Sequence, residues 1–128
     1  MSNTATVLQF FTAVEARDRD AVLAFFAPDA VYHNIPLEPR TGHDAIWQEL
    51  AQVLDLCDDV NWVVHTIAED ADGRVLTERS DRFHIKGGGW AEFKVMGIFE
   101  LRDGRIHRWR DYFDMQQGMA SIGAASGS

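Results

Sequence analysis

Val75-Leu-Thr-Glu-Arg-Ser-Asp-Arg-Phe-His-Ile85 runs into Lys86-Gly-Gly-Gly89, which runs into Trp90-Ala-Glu-Phe-Lys-Val-Met-Gly-Ile-Phe-Glu-Leu101. Two apolar-rich runs joined by a glycine triplet read as neighbouring antiparallel strands. Outward on one side, residues 60–69 are rich in β-branched side chains and end at the turn Ala71-Asp-Gly73. On the other side, Asp103-Gly104 leads into a last run from 105 to about 115. Asp-Gly between alternating apolar residues is a strong hairpin signal. The second half of the chain therefore reads as a meander of four antiparallel strands.

The first half has a helical period. Val7, Leu8, Phe10, Phe11 and Val14 recur at helical spacing, with Ser2, Asn3 or Thr4 as N-cap. A second, short helix from about 18 or 20 to 26 carries Val22, Leu23, Phe25 and Phe26, and Ala27-Pro-Asp29 should stop it. Ala30-Val-Tyr-His-Asn-Ile35 reads as a strand ended by Pro36, and 37–42 as a loop. A third helix is expected over about 43–56, with Ile46, Trp47, Leu50, Val53 and Leu54 on its apolar face. The sum is an α+β domain whose curved sheet wraps a helical layer. The domain is expected over residues 1–117, with the small, polar stretch 118–128 loosely held.

At 128 residues the chain is long enough for one domain with a proper core. A net charge of −8 with no Lys/Arg-rich run argues against nucleic acid or an anionic membrane surface as partner. Cys57 is the only cysteine, which rules out an internal disulfide and fits a reducing compartment. Met1-Ser-Asn-Thr-Ala lacks the blocks of a signal peptide, and no apolar run reaches membrane-span length, so a cytoplasmic protein is expected. His33, His43, His65, His84 and His107 are scattered without ligand spacing, which speaks against a metal site. Gly87-Gly-Gly89 joins two strands and opens no helix, so it is no phosphate loop.

Three charged residues stand where solvated charges should not. Side chains alternate across a strand, so Arg79, Asp81 and Phe83 share one face, and Trp109, Asp111 and Phe113 share another. A buried carboxylate is costly unless paired, and one arginine between two aspartates pairs both. Such a set is either an ion-pair network between strands or a site in which two carboxylates hold different protonation states. On the early strand, Tyr32 and Asn34 share a face and offer a phenol and a carboxamide to a water or polar ligand. Taken alone, they read more simply as a core-edge tyrosine and a turn residue before Pro36. Phe83, Phe93, Val95, Trp109 and Phe113, with Val53 and Cys57 from the third helix and its end, suit either a cavity lining or a filled core. Cys57 also fits as a small buried hydrophobe.

Tyr32-His-Asn-Ile-Pro36, Thr77-Glu-Arg-Ser-Asp81 and Gly104-Arg-Ile-His-Arg-Trp-Arg-Asp-Tyr-Phe-Asp114 together closely resemble the limonene-epoxide hydrolases. That family lies within the nuclear-transport-factor-2-like and SnoaL-like cone folds, and the resemblance runs from the first helix to about Asp114. It implies a mixed, mostly antiparallel sheet forming a cone around a deep apolar pocket, usually in a homodimer, with no metal and no organic cofactor. It further implies that Asp111 is the base that deprotonates water and that Tyr32 and Asn34 hold that water. Asp81 would protonate the epoxide oxygen, Arg79 would bridge the two aspartates, and the product would be a vicinal diol. Past Asp114 the chain departs from the family's charged tail: Gln116-Gln-Gly-Met119 leads into Gly, Ala and Ser. The same fold also carries isomerase and cyclase chemistry, and a cone domain that only binds an apolar ligand is the non-enzymatic alternative.

Overall fold

A computed structural model describes residues 2–127. Helix α1 (Asn3–Ala16) starts where the Ser2 hydroxyl accepts the Ala5 N–H at 3.0 Å and ends at Arg17, which takes a left-handed conformation. Helix α2 (Arg19–Leu23) is shorter than the apolar spacing predicts, because Phe26 already belongs to strand β1 (Phe26–Asn34). Pro28, expected to stop a helix, sits inside that strand. It falls where the pairing with the neighbouring strand is irregular, between Phe26 and Val31, so its missing N–H breaks no regular ladder.

The 37–42 stretch is not all loop. Arg40 and Thr41 form a two-residue strand, β2, paired with Tyr32 and Val31. Gly42, at φ +88°, turns the chain into α3 (His43–Leu54). Strands β3 (Cys57–Glu69), β4 (Val75–Ile85), β5 (Trp90–Arg102) and β6 (Arg105–Tyr112) form the expected antiparallel meander. The six strands lie in the order β2-β1-β6-β5-β4-β3, with β1 parallel to β6 and every other pair antiparallel.

The C-terminal stretch departs most from expectation. Residues 118–128 were expected to be loose; Met115–Ala125 instead form helix α4, capped by the Asp114 carboxylate on the Gln117 N–H at 2.9 Å. Its small residues are what let it lie on β5. A Cβ at position 118 would overlap the Phe93 ring, Ser121 Oγ accepts the Glu92 N–H at 2.8 Å, and Ala125 O accepts the Gly89 N–H at 2.7 Å. Ser128, the last residue of that stretch, lies outside the described residues.

The concave face of the sheet is filled at one end and open at the other. Phe10 meets Trp109 edge-on at 5.2 Å and Phe26 at 5.3 Å, and Phe99 stacks on Trp109 at 5.1 Å. With Val7, Val14 and Ile106 this makes a sealed aromatic core. Beyond it, between the sheet, α3 and α4, the concave face opens into a cavity of about 120 Å³.

Candidate active site

Arg79 projects from β4 to lie just beneath the floor of that cavity, behind Asp81 and Asp111, which line it. Its side chain is fully buried, over the rings of Phe11 and Trp62 at 5.0 and 5.2 Å. Asp81, two residues along the same face, accepts from Arg79 Nε at 3.0 Å and from Nη2 at 2.9 Å. Asp111 accepts from Nη1 at 3.3 Å and from Nη2 at 2.8 Å. Nη1 also donates to Thr77 Oγ1 at 2.9 Å. A guanidinium has five N–H donors in a fixed fork, and here all five are used. The arginine is a rigid bridge that holds both carboxylates.

One strand stands between the partners. Asp111 on β6 lies opposite Gly97 on β5, and Gly97 lies opposite Thr77 on β4. A side chain at position 97 would fill the space the bridge crosses: a Cβ there would run into the Asp111 carboxylate and the Arg79 guanidinium. Gly97 is therefore part of the site's construction. Nothing in the residues around it marks it; only the register places it between the charges.

Asp111 has a further donor, the Trp109 indole, at 2.7 Å to Oδ1. Trp109 was expected as cavity lining; it lies beneath the floor instead, fully buried and stacked on Tyr32 at 3.9 Å. Tyr32 and Asn34 arrive from β1, whose parallel register sets Tyr32 beside Trp109 and Asn34 beside Asp111. Both line the cavity, as do Asp81 and Asp111. The five polar residues singled out from their spacing are thus brought together at one end of the concave face.

Of the expected apolar lining, Val53, Phe83, Phe93, Val95 and Phe113 line the cavity. Cys57 does not. It lies at the start of β3, buried, with its thiol against the Val53 carbonyl at 3.1 Å, because α3 ends two residues sooner than expected. Trp62, Leu37, Leu50, Leu54, Met115, Met119 and Ile122 complete the apolar walls, and Glu49 and Gln52 add a carboxylate and an amide. Trp62 was legible in principle, since it pairs with Asp81 across β3 and β4. The α4 residues carried no such signal. Among the described residues no group of three or more His, Cys, Asp or Glu is placed to hold a metal ion.

Burial sets the charge states. Desolvation pushes the Asp81 carboxyl up to about 6, against the pull of Arg79. Burial lowers Arg79, but the two aspartates outweigh it and raise it above its ordinary value, so it stays protonated. Burial, and then the charge of Asp111, lift the Tyr32 phenol well above its usual range, with the Asn34 amide working the other way.

Comparison with known proteins follows the same lines. The family model described as limonene-1,2-epoxide hydrolase catalytic domain matches residues 1–122. The epoxide hydrolase EphG of Mycobacterium tuberculosis is 37% identical over 106 residues, covering 83% of this chain and 69% of that protein. A solved structure of an M. tuberculosis LEH-like epoxide hydrolase superposes with TM-score 0.80 at 31% identity, over 97% of this chain and 91% of that one. A protein from Catenulispora acidiphila with a ketosteroid isomerase-like fold, solved with trimethylamine, superposes with TM-score 0.79 over 96% of each chain. At 21% identity it speaks for the fold alone. With the domain model matching residues 1–122 and a relative 37% identical, the chain belongs to the limonene-1,2-epoxide hydrolase catalytic domain family.

Proposed function

We propose that this epoxide hydrolase adds water to a small, mainly apolar epoxide in one step, with acid and base assistance from Asp81 and Asp111. The observation that carries the reading is the saturated guanidinium of Arg79, which forks onto two buried carboxylates at the edge of an apolar cavity. A network serving only stability would gain nothing from leaving both carboxylates facing open space.

Asp111 is the base. A carboxylate has about four acceptor positions. Arg79 and Trp109 take three of those of Asp111, which leaves one for a water in the cavity. Tyr32 and Asn34, beside it, orient that water. Asp81 is the acid, because burial keeps its proton on at a pH where a solvated aspartate has lost it. The water oxygen bonds to one epoxide carbon as its proton passes to Asp111. The carbon–oxygen bond breaks, and the released oxygen takes the Asp81 proton. One proton has moved from one aspartate to the other, and exchange with solvent resets the pair. No ester forms on the enzyme, which separates this route from nucleophilic attack by a carboxylate.

The cavity limits substrate size. An apolar cavity of about 150 Å³ takes a benzene ring; the space here, about 120 Å³ and open on one side, is somewhat smaller, so a six-carbon ring or a short chain would fill it and reach into the opening. We further propose a homodimer, with a second copy covering the outer sheet face. Met96 and Tyr112 are half-exposed there and Leu76 is partly exposed, among Glu78 and Lys94. The buried free thiol of Cys57 suits the cytoplasm.

Diol formation from cyclohexene oxide tests the reading. We expect turnover by the wild type, and a loss of about 10²–10⁴-fold in Asp111→Asn and in Asp81→Asn with the fold intact. A folded wild type inert toward a broad panel of epoxides sinks it. Hydrolysis in ¹⁸O-water should label the diol alone; label in an enzyme carboxylate would point to a covalent route.

A further inference from the structure

Glu49 sits where the pattern of its helix calls for an apolar residue. It falls in the inward stripe of α3 with Ile46, Leu50 and Leu54, and its side chain is only 6% exposed. A charge at such a depth is costly unless well paired. Asp81 and Asp111 are each held by two bonds from one guanidinium. Glu49 has a single bond, from Arg40 Nε to Oε1 at 3.0 Å, and Arg40 is itself 36% exposed. Oε2 accepts no hydrogen bond among the described residues, yet it is not a sealed, unpaired atom, because Glu49 lines the cavity.

Its position in the cavity is set by the sheet. Arg40 stands opposite Tyr32 in the β1–β2 ladder, so it projects on the concave side and brings Glu49 to the β2 edge of the cavity. Asp111 is on β6, two strands in from β2, so the two backbones stand roughly 10 Å apart at ordinary strand spacing. The cavity thus has two charged poles, the aspartate pair on its floor and Glu49 on its side wall, with the neutral Gln52 beside the latter on α3 and Leu50, Val53, Phe93 and Phe113 among the apolar residues that line the rest.

Resting on the hydrolase reading above, we propose that Glu49 binds a hydroxyl group of the substrate, so that preferred epoxides carry a hydroxyl several bonds from the ring oxygen. A neutral O–H suits this pole best. It supplies the donor that Oε2 lacks, whereas an ammonium would also meet the Arg40 charge and an anionic group would be repelled. The apolar walls accept the carbon chain between the two ends. The Arg40–Glu49 pair also ties β2 to α3, so the test must read recognition and not only folding.

The probes are the terminal epoxides of hexane and octane, each with and without a hydroxyl on the far carbon. In the wild type we expect kcat/KM to favour the hydroxylated partner by about tenfold at one or both lengths, chiefly through KM, as a hydrogen bond to a charged group warrants. Glu49→Gln keeps an acceptor and should retain most of the preference; Glu49→Leu should abolish it. Reading the ratio cancels any loss common to both substrates. No preference in the wild type at either length, or a preference that survives Glu49→Leu, overturns the proposal. The two readings are separated by calorimetric binding of the diols corresponding to these epoxides, which needs no turnover. Tighter binding of the hydroxylated diol, lost in Glu49→Leu, supports the subsite even where neither epoxide is hydrolysed; equal binding overturns it even where both are.

Discussion

Two arginine–aspartate pairs in this molecule, each closed by hydrogen bonds from the guanidinium, have opposite consequences. At the β3–β4 turn, Arg74 Nε meets Asp70 Oδ2 at 2.6 Å, with both side chains partly exposed. Arg74 holds that carboxyl below its usual range, chiefly by the hydrogen bond. At the cavity floor, Arg79 meets Asp81 at 2.9 Å with both side chains buried, and Asp81 is raised to about 6. Contact with an arginine therefore does not by itself decide what a carboxylate does. Solvent decides it: at the surface the hydrogen bond sets the sign, while in the interior desolvation outweighs the same bond. The first pair is an ordinary surface contact; the second holds a carboxyl whose proton stays on to a higher pH, as the proposed acid requires.

Removing the buried arginine should have the largest effect. Arg79→Met leaves two carboxylates without a counter-charge, and urea unfolding should report a loss of about 3–5 kcal/mol; an unchanged midpoint would break the contrast. The pH dependence of turnover comes next. Asp81 must carry its proton to act as acid, and it loses that proton as pH rises through about 6. The rate constant at saturating epoxide should therefore fall about tenfold per pH unit above that point, and a flat profile to pH 8 would remove Asp81 from the acid role.

Gly97→Ala should follow, because its methyl meets the Asp111 carboxylate and the Arg79 guanidinium. Overpacking of this kind costs about 1–3 kcal/mol. We expect a lower melting temperature together with lost turnover, where a remote destabilising change of equal size would cost stability alone. Arg74→Ala should come last, with unchanged turnover and a melting temperature close to wild type, as partly exposed pairs contribute little. A large loss there would show that exposure is not what separates the two pairs.

Tyr32, Asn34, Arg79, Asp81 and Asp111 were all legible as residues on shared faces, because strand alternation is a local rule and each pair lies two positions apart. The hairpin meander was legible for the same reason, in Asp-Gly pairs and a glycine triplet. Trp109 and Phe113 fall on one face of one strand by that rule, yet one is sealed core and the other lines the cavity. Alternation says which side a residue faces, but not where along that side α1 has filled the space.

Helix α4 shows the other limit. Gly118, Ser121 and Gly123 favour helix weakly, and the alanines around them, though good helix formers, bury little apolar surface, so that composition alone points to a loose tail. The same small residues permit the close approach to Phe93 and the β5 backbone that holds the helix in place. Gly97 and Glu49 are of the same kind, since each acquires its role from residues brought near by other strands and helices. By itself the sequence determined the order of the first three helices, the early strand and the four-strand meander, the faces of the strands and the five polar residues, because those rest on spacing within a few residues. The bridging of Asp81 and Asp111 across Gly97, the closing of the cavity by α4 and the second charged pole at Glu49 were decided only in the tertiary structure, because desolvation and close packing depend on neighbours in space.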